Sequence, residues 1–403
     1  MKSVLFGSDN SNPDNLAVSY NCTNATIFSS WTANQSLRYI IVPGAMTLTN
    51  YYLQTDAAPG LGTSYTFTIM KNGSATALEV TIADTATVGS DTTHSVSFAA
   101  GDTMTLRCTP TGTPALLNVQ AWNALVQTNN QTAPMFTMTG SASTTVTNYG
   151  VMTGGHTSTS GWSATESDRQ IIVPTAGTIS GLYSLVSAVP GVGKSWQQTL
   201  MVNGAATSLQ ATIADTAITA NDAVNSVAVV AGDTITIRSV PTGGPTSSNQ
   251  AFSVLFTPVI DGESFFGFGH SVAPPTNIAY EQPLGLGNNA WAGSGSESAR
   301  PMAPGPYTVT KMYVKINTAP GAGTSRTFTL RKAATSTALT VTIANANTTA
   351  NVSANVTYAQ ADQMTLQSSV TGSPAAGTGG VHAGFLMYIA PDPVLFVPQI
   401  MIY

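Results

Sequence analysis

Residues 188–195, AVPGVGKS, fit the loose form of a phosphate-binding loop, with Lys194 and Ser195 where such a loop meets its phosphates. That chemistry needs a following helix whose N-terminal N–H groups face the anion. Residues 196–202 alternate like a strand instead, and the same register elsewhere in the chain reads AAPGLGTS and TAPGAGTS. Lys194 therefore stands where two other copies carry Thr, and the segment is expected to be an ordinary inter-strand loop. Asp102, Asp233 and Asp362 also recur at one register, as metal ligands or catalytic acids would, but each sits at a turn before a strand, where an Asp side chain accepts backbone N–H bonds. Asp84 and Asp215 are matched by Asn345, which keeps turn chemistry and loses the charge that a hard cation would need.

Histidine chemistry is no better supported. His94, His156, His270 and His382 share no register, and none has a second His or Cys at zinc-like spacing. His156 and His270 each follow Gly in a Ser/Thr-rich loop, a placement that would suit an ion on a threefold axis. No GxSxG elbow is present to hold a nucleophilic serine. Cys22 and Cys108 are the only cysteines, so a bridge between them is open but cannot be the framework of the fold. These patterns predict a non-enzymatic protein with no catalytic residue, no bound metal and no cofactor.

The elements that carry these residues are written three times, with a period of about 130 residues. Trp31, Trp162 and Trp291 open equivalent segments, Pro43, Pro174 and Pro304 follow, and then Pro59-Gly60, Pro190-Gly191 and Pro320-Gly321. TIAD ends at Asp84 and at Asp215, TIAN at Asn345, and each unit closes with GDTMTLR, GDTITIR or ADQMTLQ. Within the first copy Tyr65, Phe67 and Ile69 alternate with Thr66, Thr68 and Met70, the period of a two-faced strand. Asn72-Gly73 and Asn203-Gly204 supply the positive φ angles of a tight hairpin, whereas the third copy carries Lys332-Ala333 there and is expected to turn differently. No segment keeps a helical apolar period for three turns. The expected fold is all-β, three tandem β-sandwich (jelly-roll-like) domains at residues 1–130, 131–260 and 261–390, followed by an apolar arm at 391–403.

Only 8% of the residues are charged and the net charge is −5, without a cluster of Lys and Arg, so nucleic acid is not expected as a partner. The first residues contain no apolar run long enough for a signal peptide or a membrane anchor. In the arm, Val394, Leu395, Phe396, Ile400 and Ile402 are punctuated by prolines that forbid a helix or a central strand. Such an arm packs on its own domain or docks on a neighbour.

The layout resembles the trimeric jelly-roll heads of complement-type collagenous proteins and tumour-necrosis-factor-like ligands. GTISGLYSLVS from Gly177, LMVNG ending at Gly204 and SVAVVAGDTITI ending at Ile237 are similar to that family's consecutive strands, and GGVHAGFLMY from Gly379 to its closing core strand. The resemblance implies threefold assembly, either of three chains or of three units in one chain, and the short linkers favour a homotrimer of chains stacked domain by domain. Together with the Ser/Thr/Ala/Asn/Gly-rich composition, the chain also resembles structural proteins of bacteriophage virions. That likeness implies a capsid-decoration or head-fibre protein, assembled in the host cytoplasm, with the major capsid protein and other virion proteins as partners and no membrane. A receptor- or carbohydrate-binding module, or a cellular surface or spore-coat protein, is the alternative. Host glycans would then meet aromatic platforms at Trp31, Trp162 and Trp291, which otherwise pack in cores. Tyr65, Trp196 and Arg326 share a register, and exchange of aromatic for Arg suggests a partly exposed edge.

Overall fold

The computed structural model describes every residue except 8–10, 25–30, 153–160, 271–274, 284–290, 294–296, 298–306, 360–361, 376–379 and 392–403. Apart from two 3-10 turns, Gln35–Arg38 and Glu166–Asp168, its regular structure is strand. The first unit contains β1 (Lys2–Gly7), β2 (Ser19–Asn21), β3 (Ile40–Ile41), β4 (Met46–Thr55), β5 (Gly60–Lys71), β6 (Ser74–Asp84), β7 (Val88–Asp91), β8 (Val96–Phe98), β9 (Thr103–Thr111) and β10 (Val119–Gln127). The second has β11 (Ala133–Ser141), β12 (Asn148–Gly150), β13 (Ile171–Ile172), β14 (Gly177–Val186), β15 (Gly191–Val202), β16 (Ala205–Asp215), β17 (Thr219–Val229), β18 (Thr234–Thr242) and β19 (Asn249–Pro258). The third has β20 (Glu263–His270), β21 (Ala279–Glu281), β22 (Ala292–Gly293), β23 (Tyr307–Ile316), β24 (Gly321–Lys332), β25 (Thr335–Asn345), β26 (Thr349–Tyr358), β27 (Met364–Thr371) and β28 (Val381–Tyr388).

Each unit pairs two antiparallel sheets. In the first, the order β1-β10-β4-β7 faces β2-β9-β5-β6, and the second repeats it as β11-β19-β14-β17 and β12-β18-β15-β16. The third gives β20-β28-β23-β26 and β22-β21-β27-β24-β25. Apart from the hairpins β5-β6, β15-β16 and β24-β25 and the short pair β21-β22, strands adjacent in space are distant in sequence, as in sandwiches of jelly-roll type. Tyr65, Phe67 and Ile69 point from β5 into a core shared with Leu48, Leu53 and Trp122 of the facing sheet, as the alternating pattern predicts. The protein is an all-β sandwich protein.

The hairpin between β5 and β6 turns at Asn72 (φ 49°) and Gly73 (φ 81°), and that between β15 and β16 at Asn203 (φ 52°) and Gly204 (φ 79°). The third copy does not turn differently. Ala333 (φ 45°) and Ala334 (φ 63°) adopt the same left-handed pair, because the register of β24 against β25 and β27 leaves two residues for the turn. Register overrides local preference at a position where alanine is strained.

The units also pack on one another within the chain. The end of β3 lies on β19, β14 and β11 of the second unit, where Ser253 donates to the Ile41 carbonyl at 2.6 Å. Phe136, Met138, Leu185 and Ala251 of the second unit thereby join the first unit's core. In the same way β13 lies on β28, β20 and β23. A Cβ on Gly384 would run into the Ile172 carbonyl, so only glycine lets β28 pass so close. Phe265 joins the second unit's core, meeting Phe256 edge-on at 4.8 Å. The third contact returns to the start: Phe6 packs on Phe266 at 5.5 Å and on Tyr307 at 6.1 Å, Val4 and Leu125 lie against the third unit's core, and Gln363 donates to Gln54 at 3.0 Å. The three units thus contact one another pairwise within the chain and close a ring. Both linkers, 128–132 and 259–262, leave one unit where its last strand finishes and enter the next at the corresponding end, beside the finish of that unit's last strand.

Relieving the strained turn provides a test. The double substitution Ala333→Asn, Ala334→Gly should raise unfolding free energy by about 1–3 kcal/mol, from the roughly 1–2 kcal/mol that left-handed backbone costs a non-glycine residue. Equilibrium urea denaturation monitored by tryptophan fluorescence measures it, and an unchanged or lower midpoint would contradict the shared turn geometry.

Candidate functional site

The sequence-predicted contact residues are placed by the sandwich interior. Trp162 and Trp291 are buried and Trp31 is partly buried against the first core. Trp31 and Trp291 meet Phe67 and Phe328 at 5.9 and 6.1 Å, whereas Trp162 meets Phe252 at 6.1 Å, since Gln198 occupies the place of the phenylalanine. They are packing residues, and Trp162 also donates to the Gly140 carbonyl at 2.9 Å.

Tyr65, Trp196 and Arg326 do not form a partly exposed edge. Their relative exposures are 0%, 0% and 2%, because β5, β15 and β24 each lie between two strands and this position faces inward. What Tyr and Arg share is a donor at one depth. Tyr65 Oη donates to the Ala115 carbonyl at 3.1 Å, and Arg326 Nη2 to the equivalent Ala375 carbonyl at 3.2 Å, with Nη1 reaching the Pro275 carbonyl at 3.1 Å. Burial lowers the Arg326 pKa from its ordinary value. The guanidinium is a loop tether. Val394, Leu395, Phe396, Ile400 and Ile402 lie outside the described residues, as does residue 156.

The recurring acids close turns. Asp102, Asp233 and Asp362 accept the backbone N–H of Ala99, Val230 and Ala359 at 2.7, 2.8 and 2.5 Å. Asp84, Asp215 and Asn345, all near φ 55°, accept the N–H of Gly62, Gly193 and Gly323 at 2.7, 2.7 and 2.9 Å, which holds the Pro-Gly-x-Gly loop rigid. Lys194 sits inside β15, and no helix follows it. His270 ends β20 and is not in a loop, and His382 is buried with Nδ1 at 2.7 Å from the Gln170 carbonyl, across the junction of the second and third units. Cys22 and Cys108 are separate, buried thiols, and burial, with a smaller push from Asp14, raises Cys108 well above its ordinary value. Among the described residues no three His, Cys, Asp or Glu side chains gather as a metal-binding group.

One structural device escaped the sequence reading. Asp91 is buried where β7 ends, and accepts the N–H groups of Glu79, Thr93 and His94 at 3.2, 3.1 and 3.0 Å, with His94 Nδ1 at 3.0 Å. Asp222 repeats it with Gln210, Val224 and Asn225. Burial alone would raise the Asp91 carboxyl, but the three N–H groups and the His94 side chain outweigh it and bring its pKa down to about 2. The third copy has Val352 in this register, so a comparison requiring all three copies passes over it. The signal in the first copy was the Asp-x-Thr spacing of an Asx turn, which the second copy, with Val224 in place of Thr93, lacks.

No protein-family model and no curated protein matches the sequence.

Two substitutions check the structural roles. Arg326→Met leaves two loop carbonyls unmet and should cost about 2–4 kcal/mol, whereas Arg326→Tyr keeps the donor to Ala375 and should cost less than half as much, both read by urea denaturation. Equal losses would show that the tether does not matter. Asp91 has a depressed pKa, so its stabilisation is complete above about pH 4 and is lost as pH falls toward 2. Asp91→Asn should therefore lower stability at pH 7 by about 2 kcal/mol and flatten the acid limb of the stability profile between those values. An acid limb as steep as in the unsubstituted chain would refute the assignment.

Proposed function

We propose that the protein is a structural component of a bacteriophage particle, decorating the capsid or belonging to a head or tail fibre and held there by contacts of many copies. The observation that carries this reading is the end of the ring opposite its linkers. There the Pro-Gly-x-Gly loops are braced by Asp84 and Asp215, yet present Leu61 and Val192 at 82% and 84% exposure. Leu16, Leu116 and Val146, in loops at the same end, are also exposed. Folding does not need apolar side chains at these tips, and a rigid loop loses little entropy when it makes a contact. Repetition of such weak contacts over a lattice produces avidity without a deep site.

The recurring residues support a scaffold in preference to an enzyme, since they pack cores and bend turns. A glycan- or receptor-binding module draws no support from the aromatic residues, as Tyr65, Trp162, Trp196 and Trp291 are buried. Mass spectrometry of purified phage particles tests the proposal directly. The expected result is this chain at many copies per particle, displaced at least tenfold more readily when Leu61→Asp and Val192→Asp are combined. Its presence in lysate but not in washed particles would overturn the reading.

A further inference from the structure

Three core positions of the second unit differ in kind from their counterparts. Gln198 lies opposite Ser239, where Phe67 lies opposite Cys108 and Phe328 opposite Ser368. Gln250 lies opposite Val186, where Val119 faces Thr55 and Val381 faces Ile316. Ser184, opposite Phe252, corresponds to Leu53 opposite Trp122 and Val314 opposite Ala383. The second unit has thus exchanged hydrocarbon for Ser and two Gln at positions that are 0% exposed.

These side chains satisfy one another only in part. Gln198 Nε2 donates to Gln250 Oε1 at 2.7 Å, and Ser239 Oγ to the same oxygen at 3.0 Å, which occupies both of its lone pairs. Gln198 Oε1, Gln250 Nε2 and Ser184 Oγ have no hydrogen-bond partner among the described residues. Exchanging oxygen and nitrogen in both amides leaves the same inventory, one amide oxygen and one NH2 group unmet. Ser184 and Gln250 are diagonal neighbours on adjacent strands, a separation of typically about 7–8 Å that one small molecule can bridge.

The chemistry of the site selects its ligand. A hydrocarbon would leave all three groups unmet, and an ion would find no opposite charge on Ser184, Gln198, Ser239 or Gln250. A water molecule accepts from Gln250 Nε2, donates to Gln198 Oε1 and takes Ser184 Oγ as a third partner, the number that buried waters ordinarily make. We infer that the core of the second unit is built around an internal water held by Gln198, Gln250 and Ser184, at a place the other two units fill with Phe, Val, and Leu or Val. The altered partner of Trp162 belongs to the same arrangement, because the ring that would stack on residue 198 rests on Phe252.

Water-selective NMR on the full chain, deuterated except at exchangeable positions, tests this inference. The side-chain amides of Gln198 and Gln250 should both show cross peaks to a water that resides for longer than a nanosecond. In Q198F, which installs the residue found at Phe67 and Phe328, the Gln250 amide should lose its cross peak. A dispersed spectrum of the unsubstituted chain with no water cross peak at either amide would overturn the inference, and so would a Gln250 cross peak that survives in Q198F.

Discussion

The contact between the 40–44 segment of one unit and the outer face of the next unit's sheet governs the molecule. A jelly-roll sheet is normally covered on one side by its partner sheet and wet on the other. Here the sheet β11-β19-β14 carries Phe136, Met138, Leu185 and Ala251 on its outer side, and those residues are buried only because the first unit covers them. Separating the two would return those apolar side chains to water, at a cost in free energy. The hydrogen bond from Ser253 to the Ile41 carbonyl then fixes the register of a contact that apolar burial alone would leave free to slide.

The first-to-second and second-to-third junctions share this geometry and differ in side chains. At the position of Ser253 the first unit has Asn123 and the third has Gly384, so one junction is hydrogen-bonded and another is a close backbone approach. Size is traded inside the units as well. Gly7 lies opposite Trp122, Thr137 opposite Phe252 and Phe268 opposite Ala383, three ways of filling the same space. Such exchange conserves volume across a pair of strands while changing both members, which close packing tolerates better than either change alone.

Much of the fold was legible because turns and alternation are local. The repeated Trp, the Pro-Gly loops, the Asp before each closing strand and the period-two pattern of 65–70 all fall where the sequence put them. Arg326 misled, since a lone charged residue among aromatics reads as an exposed edge until the carbonyls that it tethers are known. Ala333-Ala334 misled in the opposite sense, because tertiary register imposed a turn that the residues do not favour. The junctions were hidden for a simpler reason. Apolar residues on both faces of a strand look alike in a sequence, whether the second face meets its own sandwich or a neighbouring one.

A head-to-tail contact between unlike surfaces has no inherent stopping point, and most arrangements of this kind grow into open filaments. Here two such segments, at β3 and β13, are used up on sheets of the same chain, and Phe6 of the first unit is covered by Phe266 and Tyr307 of the third. Those apolar surfaces are thereby satisfied inside one molecule and are not left open to a second copy.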